Sequence, residues 1–269
     1  MITNPFAELS AFTPSQMTFY VIAMFVLVVV GVLLDVRHKK SKIYFDGHAE
    51  AMSKLAKTPI SSSEKSSLLV KTITSEVLTS SEFSNQDRRM SHLMTMYGFI
   101  IFVITTAIMI FTGAGGFWAL LWHLGALSLA AGAYWFWFGI RADVSAEGHK
   151  WYQIEYRRDV FILSLMATST FALLWSFTGA TFFFALFILS STVLFGTVFW
   201  SKFAHMFFKP FAAYQKKVSF AEGAREKLPD IPDLASAETH ERFPDIPEYM
   251  GKNPPNMGLG IKREKPRHY

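Results

Sequence analysis

The chain of 269 residues contains no cysteine. That excludes, for this chain, a disulfide, a cysteine-ligated iron–sulfur cluster and a thiolate nucleophile. Any redox cofactor it holds must use histidine or bind without covalent ligands. Lysine and arginine are missing from residues 1–16. A secretory signal, with its charged leading region, is therefore not expected, and the apolar run that follows is long enough to span a membrane. The same two residue types are missing from Gly113-Ala114-Gly115-Gly116 and from Gly179-Ala180-Thr181.

What the chain has in excess is apolar. Hydrophobic residues make up 51% of it, 27 of them phenylalanine. That is too apolar for an ordinary soluble domain and points to a membrane protein. The net charge is +5, but the basic residues stand in blocks. They read as topology signals and not as a nucleic-acid footprint.

Five segments are long and apolar enough to cross a bilayer, at ~20 residues each: Met17–Val36, Met94–Thr112, Phe117–Ile140, Val160–Thr178 and Phe182–Trp200. The two glycine-bearing connections are tight, so the last four segments form two antiparallel hairpins. All 26 lysines and arginines fall within 37–89, 141–158 and 202–267. The positive-inside rule then puts the N-terminus and both turns outside, and the longer loops and the tail in the cytoplasm. The expected architecture is an all-α membrane protein, a five-helix transmembrane bundle in a cytoplasmic (inner) membrane, N-terminus out and C-terminus in. It divides into an external segment at 1–16, a membrane domain at 17–217 that includes a cytoplasmic loop at 37–91, and an extended cytoplasmic tail at 218–269.

Within the inner loop, His48–Lys57 and Glu64–Leu78 each suit a short helix, and the serines at 61–63 suit a linker. Leu69, Ile73 and Val77 recur at helical spacing, a narrow stripe for the membrane surface or for a partner. The tail repeats Pro229-Asp230-Ile231-Pro232 as Pro244-Asp245-Ile246-Pro247. Its prolines and glycines forbid a packed core. Phe243, Ile246, Tyr249, Met250 and Leu259 give it contacts suited to a strap on a cytoplasmic partner; the alternative is a solvating tail.

The candidate chemistry rests on histidine. The last apolar segment runs out through Trp200-Ser201-Lys202-Phe203-Ala204-His205-Met206-Phe207-Phe208-Lys209-Pro210. If the helix continues, Lys202, His205 and Lys209 share a face. Arg88-Arg89-Met90-Ser91-His92 mirrors this at the head of the second segment. His92 and His205 thus share a depth, as two axial ligands of one haem b would, with Arg88, Arg89, Lys202 and Lys209 placed for its propionates. Basic-flanked helix ends are the alternative. His123 lies within the third span, where it could meet a quinone or tie helices together. His149, near Trp151 and Arg157-Arg158, suits a quinone head, a protein contact or an aromatic belt.

The histidine at the second helix and the phrase Lys202-Phe203-Ala204-His205-Met206-Phe207-Phe208-Lys209-Pro210 resemble the gamma subunit of respiratory nitrate reductases. They are also similar to its relatives: the membrane subunits of heterodisulfide reductase and of the quinone-interacting oxidoreductase complex, and the membrane anchor of adenylylsulfate reductase, an enzyme of sulfur metabolism. The likeness covers about 17–217. It implies a haem b membrane anchor that passes electrons between the quinone pool and cytoplasmic iron–sulfur or flavin oxidoreductase subunits, with His92 and His205 as the matching ligands. On this resemblance the chain is a non-catalytic or quinone-reacting subunit of an oxidoreductase complex. Two departures stand out. Several members bind two haems with four histidines, whereas one pair is evident here. Some carry a cysteine-rich ferredoxin domain, which this chain lacks. The alternative in another class is a haem-free scaffold that docks a soluble redox complex on the membrane.

Overall fold

A computed structural model of the chain describes residues 3–7, 9, 11–81, 83, 85–141, 150–201, 208–224, 237 and 241. Among these residues the structure is helical, with no strand. Four helices are long and apolar enough to cross a membrane. The first, α1 (Pro14–His38), opens on a capping box: Thr13 accepts from the Gln16 N–H and Pro14 fills the first turn. These are the residues that suit orphan N–H groups at a helix start. Two helices follow in the long loop, α2 (Ser41–Leu55) and α3 (Ser62–Thr72), the latter widened into a π-type turn over Ile73–Leu78. Next come α4 (Gln86–Thr112), α5 (Phe117–Trp135, widened through Arg141) and α6 (Tyr156–Thr178). The fifth apolar helix, α7 (Thr181–Thr197), has 17 residues. At 1.5 Å per residue it is about 25 Å long, short of a full hydrocarbon core. A last amphipathic helix, α8, covers Lys209–Ala221.

The two expected tight turns are present. Gly113 and Gly179 sit at φ of 69° and 68° after α4 and α6, the left-handed closure that glycine adopts without a side-chain clash. Of the tail expected as extended over 218–269, residues 218–224, 237 and 241 are described, and 218–221 are the last turn of α8, not extended chain.

Three boundaries differ from expectation. α4 begins at Gln86 because Asn85 caps it, accepting from the Asp87 and Arg88 N–H groups. Arg88, Arg89 and His92 therefore ride on α4, and His92 does not open it. The serines at 61–63 are no linker: Ser61 and Glu64 form a capping box that starts α3. The fifth helix closes at Thr197 and passes through a turn to Ser201, which bonds back to the Thr197 carbonyl. α7 therefore does not run unbroken to Lys209, which starts a new helix; the expected shared face of Lys202, His205 and Lys209 falls on 202–207, outside the described residues.

α4 and α5 approach most closely. A Cβ on Gly98 would stand 2.4 Å from the Leu129 nitrogen, and one on Gly125 2.8 Å from the Phe102 nitrogen. With no side chain there, the backbones touch, as in small-residue membrane interfaces. Ser91 Oγ donates to the Gly132 carbonyl at 2.9 Å, and Ser128 Oγ donates to that of Met94 at 3.0 Å. α6 and α7 form the second pair, and α5 packs on α6. α1 leans on α7, where the Tyr20 hydroxyl meets Thr192 Oγ1 at 3.1 Å. The core is aromatic, built around Trp122, Trp175, Phe184 and Phe187.

The bundle has two unlike ends. At the turn end, the N-terminal segment folds inward. Asn4 Nδ2 donates to the Met109 carbonyl at 3.2 Å, and Phe6 sits against Trp122 and Trp175 at ring distances of 5.8 and 5.1 Å. At the loop end, α2, α3 and α8 build a polar layer. The buried Glu222 carboxylate takes Lys65 at 2.8 Å, and its backbone carbonyl accepts from the Lys57 and Thr58 N–H groups. Lys217 bridges to Glu76 at 2.9 Å. The hydrogen bond from Lys65 to Glu222 holds that ammonium above its ordinary range.

Replacing Gly98 by alanine should lower stability by about 1–3 kcal/mol through overpacking. Gly47→Ala, with open space around it, should raise it by up to roughly 1 kcal/mol. Thermal unfolding in detergent compares the two. A pH effect follows from the α3 cap. The Ser61 N–H and hydroxyl hold the Glu64 carboxyl below its ordinary range. Its contribution is therefore complete above the usual glutamate range and is lost as pH falls through the lowered value. Protection factors of the amides at the head of α3 should drop on acidification, and Glu64→Gln should flatten that dependence.

Candidate functional site

The loop end gathers the titratable groups. His92, on the second turn of α4, is exposed. Its Nδ1 lies 3.1 Å from Ser80 Oγ, and its ring packs on Phe83 at 5.0 Å. Lys209 Nζ stands 5.8 Å from the centre of the Phe83 ring. The heads of α4 and α8 therefore meet through one phenylalanine, and two of the expected site residues come together. Ser80 is buried and takes a φ of 48°, uncommon for a residue with a side chain. Backbone strain of this kind costs roughly 1–3 kcal/mol and concentrates where a side chain must be aimed.

Arg89 Nε donates to the Thr79 carbonyl at 2.8 Å, so this cation is engaged with the strand of chain that carries Ser80. Arg88 lies on α4 four residues before His92, half-buried, with contacts of its own. Lys202, His205 and His149 lie outside the described residues. With Ser80 at Nδ1, His92 would take a metal at Nε2, the arrangement in which a ligating imidazole is oriented by its other nitrogen. On the bundle side of His92, α4 and α7 face each other through rings, Phe99 with Phe195 at 6.2 Å and Phe102 with Phe187 at 6.2 Å. An exposed imidazole oriented by a hydroxyl, an apolar ring beside it and a cation above that ring fit one side of a haem. Among the described residues, no three His, Cys, Asp or Glu side chains are grouped to hold a bare metal ion.

His123 is placed differently. Its Nδ1 lies 2.7 Å from the Ala119 carbonyl and its Nε2 lies 2.6 Å from Ser176 Oγ. A carbonyl only accepts, so Nδ1 carries a proton. Both ring nitrogens are used within the protein. This is the interhelical tie between α5 and α6 that its position in a span allowed.

Sequence reasoning did not single out the strongest polar cluster. Arg141, at the end of α5, and Asp159, in the first turn of α6, are each 2% exposed. Arg141 Nε donates to Asp159 Oδ1 at 2.9 Å, and Nη2 makes a second short bond to Oδ2. Nη2 also donates to the Gln153 carbonyl at 2.6 Å. Asp159 further accepts from the Glu155 N–H at 2.8 Å and from Arg158 Nε at 3.3 Å. The Arg141 guanidinium lies 4.1 Å above Trp137. In the sequence both residues look like ordinary helix-flank charges, and only their isolation at the ends of two successive spans hints at a pair.

Comparison with protein-family models, with curated proteins and with solved structures finds no match.

Substituting Asp159 by alanine strands Arg141 in a buried site. A loss of about 3–5 kcal/mol is expected, while replacing both members by apolar residues, Arg141→Met with Asp159→Leu, should recover most of it. Melting temperatures of the three proteins in detergent test this. Equal losses in the single and double variants would show that the pair does not act through its charge.

Proposed function

We propose that the chain is the membrane anchor of a redox complex, passing electrons between a soluble cytoplasmic oxidoreductase and membrane quinone through haem b. With no cysteine, the chain would need a separate redox partner, as the adenylylsulfate reductase anchor does. The observation that supports this reading is the loop-end convergence of His92, Ser80, Phe83 and Lys209. His205 stands four residues before Lys209 in the chain and is the second ligand the resemblance implies. The positive-inside pattern puts this end in the cytoplasm. The fifth apolar helix completes the bundle, so that the N-terminus faces outward and the tail faces the partner.

On this reading each residue has a definite part. His92 would bind the iron at Nε2, with Ser80 orienting its ring. Phe83, packed on that ring, would line the apolar side of the site. Lys209, Arg88, Arg89 and Lys202 are the cations for the propionates. Haem b, when bound, supplies a one-electron carrier. His123 holds α5 to α6, which leaves His149, next to Trp151 and Tyr152, as the histidine for a quinone head.

A second reading, a haem-free scaffold, is favoured by the same contacts. Ser80 and Phe83 already satisfy His92 as a structural residue, and the polar layer of α2, α3 and α8 could by itself dock a soluble complex.

A reduced-minus-oxidised visible spectrum separates the two. Protein made with haem available should show a b-type spectrum that is lost in His92→Ala and in His205→Ala. A featureless wild-type spectrum would reject the electron-carrier reading in favour of the scaffold.

A further inference from the structure

The polar side of α3 is spoken for. Thr72 is buried, Lys65 is paired with Glu222, and Ser75 and Glu76 both meet Lys217 of α8. This turns the apolar side of the helix away from the protein. Leu69, Val70, Ile73 and Leu78 are 44, 64, 43 and 45% exposed. They cover one side of α3 and its widened last turn, and a run of this kind marks an interaction surface.

Its neighbour is a helix of spanning length. The Tyr97 hydroxyl of α4 donates to the Leu78 carbonyl at 2.7 Å, and Arg89 caps the next carbonyl, that of Thr79. These bonds fix the end of α3 to the flank of a spanning helix. Tyr97 belongs to a stripe along α4 with Met90, Ile100, Ile104 and Phe111, all exposed. Their spacings of seven, three, four and seven residues put them on one face. That face meets lipid if α4 crosses a membrane. The apolar side of α3 continues it at the loop end, where a tyrosine, an arginine and the exposed Lys71 stand as they do at a membrane–water boundary. A protein partner covering α3 would also have to displace lipid from this stripe.

We propose that the apolar face of α3 lies in the surface of a phospholipid bilayer, as an interfacial helix that holds the α2–α3–α8 layer against the membrane beside α4. The proposal rests on the membrane-spanning reading of the apolar helices and not on the haem.

The absence of cysteine provides the test. Val70→Cys, Ile73→Cys and Lys71→Cys on α3, and Phe25→Cys on the exposed side of α1, each give a unique site for a nitroxide label. The full chain is reconstituted in vesicles of phosphatidylcholine with phosphatidylglycerol. Collision rates of each label with oxygen, which partitions into lipid, and with a water-soluble nickel complex are then measured. Labels at 70 and 73 should meet oxygen several-fold more often than nickel, with the ratio reversed at 71. If 70 and 73 prefer nickel while 25 prefers oxygen, the spans are in lipid but α3 is not. That overturns the proposal and leaves its face to a protein partner. If 25 also prefers nickel, the spanning reading fails, and the proposal fails with it.

Discussion

The arrangement of the bundle depends on the contact between α4 and α5. Between apolar helices in hydrocarbon there is no water to expel, so association relies on close packing and on hydrogen bonds between helices. Gly98, Gly125 and Gly132 remove the side chains that would hold the two backbones apart. The gain is geometric as well as attractive. At this spacing the Ser91 and Ser128 hydroxyls reach carbonyls on the opposite helix, and Trp122 Nε1 reaches Thr106 Oγ1 at 2.8 Å. Those bonds fix the rotation of α5. Its rotation then presents His123 to Ser176 and Tyr134 to Thr170 on α6. α6 in turn carries α7, and α7 carries α1.

A second constraint governs the loop end. Charged groups there sit where water gives way to apolar surroundings, and each must find a partner or stay wet. Arg141 and Asp159 are the extreme case. Their pairing ties the widened end of α5 to the first turn of α6, across the connection that bears His149. Such a pair adds little net stability over apolar residues of the same size, because desolvation offsets the attraction. Its consequence is registration, since the two helix ends cannot slide without breaking the fork. Ser80 follows a similar logic on a smaller scale. Its left-handed backbone is unfavourable alone, yet it brings the hydroxyl onto His92 and the chain onto Arg89.

Much of the framework could be read from residue order alone. Four of the five expected spans are helices of spanning length, legible because a bilayer sets a length that few other structures need; the turns were legible because Gly113 and Gly179 take backbone angles that other residues resist. Helix starts were less legible. Hydropathy reports where lipid begins, not where hydrogen bonding begins, so α4 extends through the polar Gln86–Arg89 to its Asn85 cap. The Ser61–Glu64 box is a local signal, but a serine run masks it. The pairing of Arg141 with Asp159, 18 positions apart, and of Ser80 with His92 depends on how loops fold back, which no periodicity encodes. Of the expected haem residues, the structure draws His92 and Lys209 together, while the segment 202–207 lies outside the described residues.

The asymmetry of the two ends bears on where any exchange takes place. At the turn end the connections are only a few residues long, and Asn4 and Phe6 fill the opening among Trp122, Trp175 and Phe184. No described residue there is charged. The loop end has the opposite character, with His92, Lys209, the Lys65–Glu222 clasp and the exposed aromatics Trp151 and Tyr152. A carrier ligated by His92 would stand at that surface, close to whatever docks on the α2–α3–α8 layer. The rings of Phe99, Phe195, Phe102 and Phe187 would lie between it and the sealed end. The described side chains able to bind or pair charge thus gather at the loop end, and the other end is left to packing.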